Sequence, residues 1–334
     1  MRNHDKQMVS IILPTYKVEK YLEKSIRSIL NQTWMNFELL VVVDDSPDNS
    51  LQIARSFSDP RIRVFNKPHG GLSDTRNYGL ERTRGTYVYF MDPDDWIDPG
   101  LLEDNVQMLE KEKLDFIVFG YHHEQENEKG IIESRRTVIP KVHFYKKGNH
   151  EDKIDGYHLE MFGYAWNKVY RKSFIDRHQF RFQKGISLVE DFLFNLPLFT
   201  ASRIIRFNSR CYYHYVNRHR DSLIKKFRSN SFDLIKMKTV VLEQFANAWE
   251  LPYKEELLGE SIVRGINYCI YNIYLCKNSL SAGQREELVN SIVHDDRTSD
   301  LIRYYRPRRL KDRLYKESIQ LKMVDTLTRL ALDS

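Results

Sequence analysis

Along the first 120 residues, short and continuously apolar runs alternate with amphipathic stretches. VSIIL (9–13), FELLVVV (37–43), IRVF (62–65), YVYFM (87–91) and FIVFG (116–120) are rich in β-branched and aromatic residues and show no polar alternation. They predict strands covered on both faces. Between them, VEKYLEKSIRSILNQ puts Tyr21, Leu22, Ile26, Ile29 and Leu30 on one helical stripe, and GLLEDNVQMLEKE repeats the pattern after Pro99. DNSLQIARSF opens on Asp48, the expected N-cap of a further helix. Strand–helix alternation predicts an α/β fold: a mostly parallel, twisted sheet with right-handed crossovers and helices on both faces.

Beyond residue 121 the periodicity weakens. HHEQENEKGIIESRRTVIPKVHFYKKGNHEDK predicts a β-hairpin with loops, and LVEDFLFNLPLF an apolar helix passing through Pro197. From about residue 230 the pattern is helical. The expected division is 1–225, with halves at about 1–120 and 121–225, followed by a helical region over 226–334.

Composition narrows the class. Of 334 residues, 41% are hydrophobic and 29% charged, as in a soluble globular protein. No apolar run approaches the roughly 20 residues that cross a bilayer. The opening MRNHDKQMVSIILP does not resemble a secretory signal, so a cytoplasmic location is expected. Cys211, Cys269 and Cys276 lack metal-ligand spacing and read as reduced thiols. The net charge of +6 is modest. Its placement matters more than its size, because basic residues crowd the C-terminal tail.

Ligands on parallel sheets gather past the carboxyl ends of strands. The residues there are PTY (14–16), DDSPD (44–48), NKPHGGLSDTRN (66–77) and DPDD (92–95). Asp92 and Asp94 leave a strand two positions apart and can point the same way. Hard oxygen pairs suit Mg²⁺ or Mn²⁺; the plain alternative is a solvated acidic turn, with Asp95 or Asp98 capping the next helix. Gly70 and Gly71 allow close backbone approach at a helix N-terminus, and Arg76 on its first turns can reach a phosphate. An aspartate of DDSPD can accept the imide N–H of uracil while Tyr16 offers a flat face, or it can simply cap a turn. Glu190 and Asp191 interrupt an apolar helix; one suits a general base, and the plain alternative is a pair placed on the helix dipole.

Taken together these stretches resemble the family two glycosyltransferases of the GT-A fold, inverting enzymes that use nucleotide sugars. The likeness runs through VSIILPTYKVEKYLEKSIRSILNQTWMNFELLVVVDDSPDNS, HGGLSDTRNYGLERTRGTYVYFMDPDDWI, WNKVYRKSFI and VEDFLFN, in the expected order. It implies a catalytic domain over 1–225, a UDP-sugar donor and Mn²⁺ or Mg²⁺. The implied metal element is Asp92 and Asp94, with Asp94 the direct ligand and Asp92 nearer ribose or phosphate. Asp191 is implied as base, with Glu190 in support. Pro14, Tyr16 and Asp44 are implied as the base pocket, with Gly71 and Arg76 near the base or diphosphate. The usual Asp-Asp-Gly-Ser reads Val43-Asp44-Asp45-Ser46 here, so either Asp44 or Asp45 meets the base. YYHYVNRHRDSL resembles the segment closing over the diphosphate, with Arg218, His219 and Ser222 as candidates and His219 as a further metal ligand. The implied acceptor is a glycan or lipid-linked saccharide of a bacterial surface polymer.

The tail supplies one more expectation. Leu310, Leu314, Leu321, Val324 and Leu327 fall near one helical face, behind Arg308, Arg309, Lys311, Arg313 and Lys316. A basic amphipathic helix can lie on the inner face of an anionic membrane; packing on its own domain or a homodimer contact explains the same stripe. Competing functions fit less well. A nucleotidyltransferase favours a glycine- and basic-rich first loop, and an aspartate-nucleophile phosphatase needs its acids after the first strand. No nucleic-acid-binding motif accompanies the basic tail.

Overall fold

The computed structural model describes residues 7–127, 129–149, 151–218, 227–275 and 280–332. Its contacts divide the chain into one unit over 1–152 and 160–219, and a second over 153–159 and 220–334.

The first unit is built on a ten-stranded sheet in an α/β arrangement. Its strands are β1 (Val9–Thr15), β2 (Phe37–Asp44), β3 (Ile62–Lys67), β4 (Tyr87–Phe90), β5 (Trp96–Ile97), β6 (Phe116–Glu126), β7 (Ile132–Val138), β8 (Phe144–Lys146), β9 (Lys168–Arg171) and β10 (Ile204–Arg218). Their order is β3-β2-β1-β4-β9-β6-β10-β5, with β7 on β6 and β8 on β10. The apolar runs of the N-terminal half form the parallel block β3-β2-β1-β4. Antiparallel partners enter with β9, and β6–β7 is the expected hairpin. β1, β2 and β4 are buried along their whole length, which explains their unbroken apolar sequences. Pro14 is tolerated in a central strand because the ladder from β1 to β4 ends at Ile12, before the missing N–H is needed.

Around this sheet lie α1 (Glu19–Leu30), α2 (Ser50–Arg55), α3 (Leu72–Leu80), α4 (Leu101–Glu112), α6 (Lys172–His178) and α7 (Glu190–Ala201), while α5 (Gly156–Phe162) crosses the boundary between the two units. α7 runs through Pro197 as expected. α3 presses hard on the sheet at Gly79, where an added Cβ would come within 2.6 Å of Ile12 Cγ2. The N-cap position of α2 is Asn49, which makes no side-chain cap, and the expected capping bond comes from Asp48, whose Oδ1 accepts Ser50 N at 3.2 Å. Asp48 also accepts hydrogen bonds from Glu19 N (3.0 Å) and Ser46 Oγ (2.6 Å), tying the start of α1 to the loop after β2.

The second unit is helical: α8 (Ser231–Ala248), α9 (Lys254–Leu275), α10 (Ala282–Val293), α11 (Asp296–Ile302), α12 (Leu310–Gln320) and α13 (Val324–Leu332). Leu242, Phe245, Trp249, Ile262, Ile266 and Val289 form its core. A Ser281–Gln284 capping box starts α10. The tail is not one continuous helix. Residues 321–323 break it, with Lys322 in the left-handed region at φ 57°. No described helix is long and apolar enough to cross a membrane. Of the cysteines, Cys269 is buried and Cys211 half-buried, both as free thiols; Cys276 lies outside the described residues.

Candidate active site

β4 delivers its acids to the sheet's carboxyl edge. After Met91 N bonds Ile12 O (3.1 Å), the chain leaves the ladder and turns through Asp92–Asp95. Asp95 and Asp98 do not cap α4, whose N-cap is Gly100. Asp95 is buried instead, where it accepts Tyr213 Oη (2.7 Å) and Val216 N (2.9 Å) and pins the turn to β10. Burial and the neighbouring Asp94 and Asp92 push its pKa up.

The positive group between these acids is Arg76. This side chain from α3 is 1% exposed. Its Nη2 donates to Asp92 Oδ1 (3.0 Å), and its Nη1 donates to Asp191 Oδ1. The guanidinium lies 5.1 Å from the centre of the Phe182 ring. That ring stacks on Phe194 at 4.0 Å, while Asn77 holds the Phe182 backbone through bonds of 2.8 and 2.9 Å. The second Asp191 oxygen accepts Ala165 N (2.9 Å). Burial and the charges of Asp191 and Asp94 raise Asp92 to about 6 despite Arg76. Glu190, beside Asp191 on the first turn of α7, is raised to about 7 by burial and then by Asp191. Its Oε2 is buried without a hydrogen-bond partner. Burying an acid so poorly satisfied is costly, and such groups concentrate at functional sites.

Asp94 takes the other guanidinium: Arg218 Nη1 stands 3.4 Å from its Oδ2, while Arg218 Nε lies 3.3 Å from Glu126 and its guanidinium covers Tyr21 at 4.1 Å. Around this edge Asp92, Asp94, Asp95, Glu190 and Asp191 crowd together, with Arg76 and Arg218 the guanidiniums set among them. Hard carboxylate oxygens two residues apart suit a divalent ion of the Mg²⁺ or Mn²⁺ class.

Near the ends of β1 and β2 the acids behave differently. Asp44 is 2% exposed and fully engaged. It accepts Lys67 Nζ (2.6 Å), Gly70 N (2.9 Å) and Gly71 N (2.8 Å), with His69 Nδ1 at 3.0 Å. Its pKa is lowered because these donors outweigh burial. The N–H groups of Gly70 and Gly71, expected to face a diphosphate, are therefore spent on Asp44. Gly71 keeps its glycine for a physical reason, a φ of +82°. Asp45 is exposed and left-handed (φ 50°), doing without the glycine of the usual pattern. Tyr16 is 39% exposed and leans on the His69 ring at 4.7 Å; Pro14 is buried in β1.

The structure thus gathers Arg76, Asp92, Glu190 and Asp191 into one cluster and Asp94 with Arg218 into another. Tyr16, Asp44, Asp45 and Gly71 stand around the end of β2. His219 and Ser222 lie outside the described residues. Three participants escaped sequence reasoning. Lys67 neutralises Asp44 and also pairs with Asp74 (2.7 Å). Phe182 supports Arg76. Buried Lys168 bonds the carbonyls of Met161 (2.9 Å) and Tyr164, bracing the loop whose Ala165 N holds Asp191. The only advance sign of Lys168 was its place within WNKVYR.

Comparison with known proteins completes the picture. Residues 10–178 match the family model described as Glycosyl transferase family 2. The uncharacterized glycosyltransferase EpsJ of Bacillus subtilis is 32% identical over 206 residues, covering 60% of this chain and 58% of EpsJ. The Staphylococcus aureus poly(ribitol-phosphate) beta-N-acetylglucosaminyltransferase TarP is 29% identical over 202 residues, 58% of each protein. The chain thus spans less than two thirds of the length of these curated relatives. Among solved structures, S. aureus TarS 1–349 in complex with UDP-GlcNAc aligns over 97% of this chain and 90% of that one, with a TM-score of 0.71 at 19% identity. At that identity the likeness speaks to fold alone.

Proposed function

Since the chain belongs to glycosyl transferase family 2, we propose that it moves a sugar from a UDP-linked donor to a hydroxyl of a bacterial surface glycan, with inversion at the anomeric carbon. The observation that carries the reading is the buried Arg76 bridging Asp92 and Asp191 beside Glu190, whose Oε2 has no hydrogen-bond partner. On this reading residues 1–225 are the catalytic domain.

Asp191 is the base. Arg76 and Ala165 N aim its carboxylate, which takes the proton of the acceptor hydroxyl as that oxygen attacks the anomeric carbon from the face opposite the diphosphate. The anomeric C–O bond breaks, and its electron pair leaves with UDP. One displacement requires one base and no covalent intermediate. Asp94 and Asp92 would hold the divalent ion, which supplies positive charge toward the departing diphosphate. Tyr16 offers the base a ring face. Asp45, and not the saturated Asp44, is the carboxylate left to accept the uracil imide. The name of TarP, and the UDP-GlcNAc of the TarS complex, make UDP-N-acetylglucosamine the first donor to screen and a phosphate-bearing polyol polymer the first acceptor. The exposed Leu310, Leu314 and Arg313 of α12, with Arg308 and Arg309 just before it, provide a surface for membrane association, which would bring the enzyme to a lipid-linked acceptor.

Release of free UDP from UDP-N-acetylglucosamine, UDP-glucose and UDP-galactose in the presence of Mn²⁺ tests the reading. Asp191→Asn should lower transfer by about 10²–10⁴-fold, the usual worth of a general base, while leaving UDP affinity nearly unchanged. Normal turnover by that variant would remove Asp191 from the role.

A further inference from the structure

A second cluster lies on the sheet face opposite Tyr121 and Tyr213. Strand register sets His122 of β6 beside His214 of β10, and His214 beside Trp96 of β5. His214 is buried and stacks on the Trp96 indole at 4.7 Å and 14°. Its Nδ1 lies 2.9 Å from Glu124 Oε1, a fully buried carboxylate also paired with Arg135 at 2.6 Å. Its Nε2 faces Asp98 Oδ1 at 3.2 Å. The His122 ring stands 4.9 Å from that of His214, with its Nδ1 engaged by Thr137 Oγ1 at 3.1 Å. One ligand atom each from Asp98, His122 and His214 lies within 4.8 Å of the others.

Two imidazoles and a carboxylate form a borderline donor set, quite unlike the all-oxygen pair of Asp92 and Asp94. Both rings are anchored through Nδ1, so each keeps Nε2 for a shared point. A buried carboxylate behind a histidine is also the arrangement that fixes the tautomer of a metal-binding imidazole. Around a tetrahedral ion the donor atoms stand roughly 3–3.5 Å apart. The Asp98–His214 pair already meets that spacing, and rotation of the partly exposed His122 and Asp98 side chains closes the rest. We propose that Asp98, His122 and His214 form a binding site for a single divalent transition-metal ion of the Zn²⁺ class, with a fourth position left to water. An ion there ties β5, the strand that follows the Asp92–Asp95 turn, to β6 and β10, and so steadies the edge on which Asp94 and Arg218 meet. A proton shared between His214 and Asp98 explains that pair alone and gives His122 no part.

Titration calorimetry of the chelator-stripped full chain with Zn²⁺ tests the site, with Co²⁺ absorption as a second readout. One ion per chain is expected, along with a visible Co²⁺ band showing nitrogen and oxygen ligation. Both should persist in Asp94→Asn, which disables the other acid pair. Affinity should fall at least tenfold in His122→Gln and in Asp98→Asn. Thr137→Val, an exposed change that leaves the ligands in place, should weaken binding in the same direction. Less than one Zn²⁺ per chain, or an affinity indifferent to His122→Gln, overturns the proposal in favour of the shared proton. The readout is metal and not sugar transfer, so its failure leaves the transferase reading untouched.

Discussion

The crowded acids past β4 are reconciled first by an arginine. A guanidinium is planar and forked, so Arg76 can hold Asp92 with one nitrogen and Asp191 with the other, where a lysine would offer a single point charge. Sequence alone suggests for Arg76 a contact to the base or diphosphate, and it does not show that a side chain on the first turns of α3 points inward to two carboxylates. Glu190 is the residue left over. Its folded-state pKa of about 7 lies above the ordinary 4.5. The folded protein therefore binds this proton more tightly than the unfolded chain. The associated stability is fully present below about pH 4.5 and is lost as the pH rises to about 7, above which the ionised group opposes folding. Glu190→Gln keeps the neutral form at every pH. At pH 8 it should be more stable than the parent by about 1–3 kcal/mol, a gain that shrinks toward pH 5. Urea denaturation of both proteins at the two pH values measures this; equal differences at both would show that Glu190 titrates normally.

At the scale of elements, α3 is held at its start by an acid from β2. Asp44 receives two backbone N–H groups of that helix entrance and a buried lysine, so removing its charge leaves Lys67 with one carboxylate, Asp74, besides the Pro68 carbonyl and unties the Gly70–Gly71 turn. Asp44→Asn should cost about 2–4 kcal/mol and lower the unfolding midpoint. Asp45→Asn should leave stability within about 0.5 kcal/mol, as exposed substitutions do, and weaken UDP binding instead. Thermal unfolding with and without UDP separates the two; a stable Asp44→Asn that loses UDP would return Asp44 to the nucleotide. The same contrast shows where sequence reading stops. β1, β2, β4 and the start of β6 were legible because strands covered on both faces are written in unbroken apolar residues, while β3 was found as a strand although, at the sheet edge, it is only half-buried. β5, β9 and the fifteen-residue β10 were not. The polar residues of β10 (Asn208, His214, Arg218) find partners on distant elements, Lys168 of β9 turns back onto the loop before it, and β10 adjusts its register at Asn208 and Cys211. Asp92, Glu190 and Asp191 could be singled out as acids in costly positions, but Lys67, Phe182 and Lys168 acquire their meaning only from the folded neighbourhood.

Across the whole molecule, the tail keeps part of its predicted character and loses part. The break at Lys322 separates α12 from α13, and Leu327 is fully buried while Leu310 and Leu321 are 71% and 69% exposed. Lys316, expected in the basic cluster, donates to the carbonyls of Arg303 (3.1 Å) and Tyr305 (2.9 Å) and closes the end of α11. What faces water on α12 and just beyond it is Leu310, Leu314 and Leu321 among Arg308, Arg309 and Arg313. Apolar groups interleaved with arginine suit an anionic lipid surface, where each basic residue adds about 1 kcal/mol and salt screens the attraction. Deleting the tail would strip Leu327, Ile319 and Tyr315 from the core of the helical unit, so loss of binding after truncation would be uninformative. The combined Leu310→Ser, Leu314→Ser, Leu321→Ser variant leaves that core intact. It should reduce co-sedimentation with phosphatidylglycerol vesicles at least tenfold while transfer to a soluble acceptor persists, and salt should weaken the binding of the parent chain. Equal sedimentation of variant and parent would assign these leucines to another partner, with a second copy of the chain the first to test by light scattering.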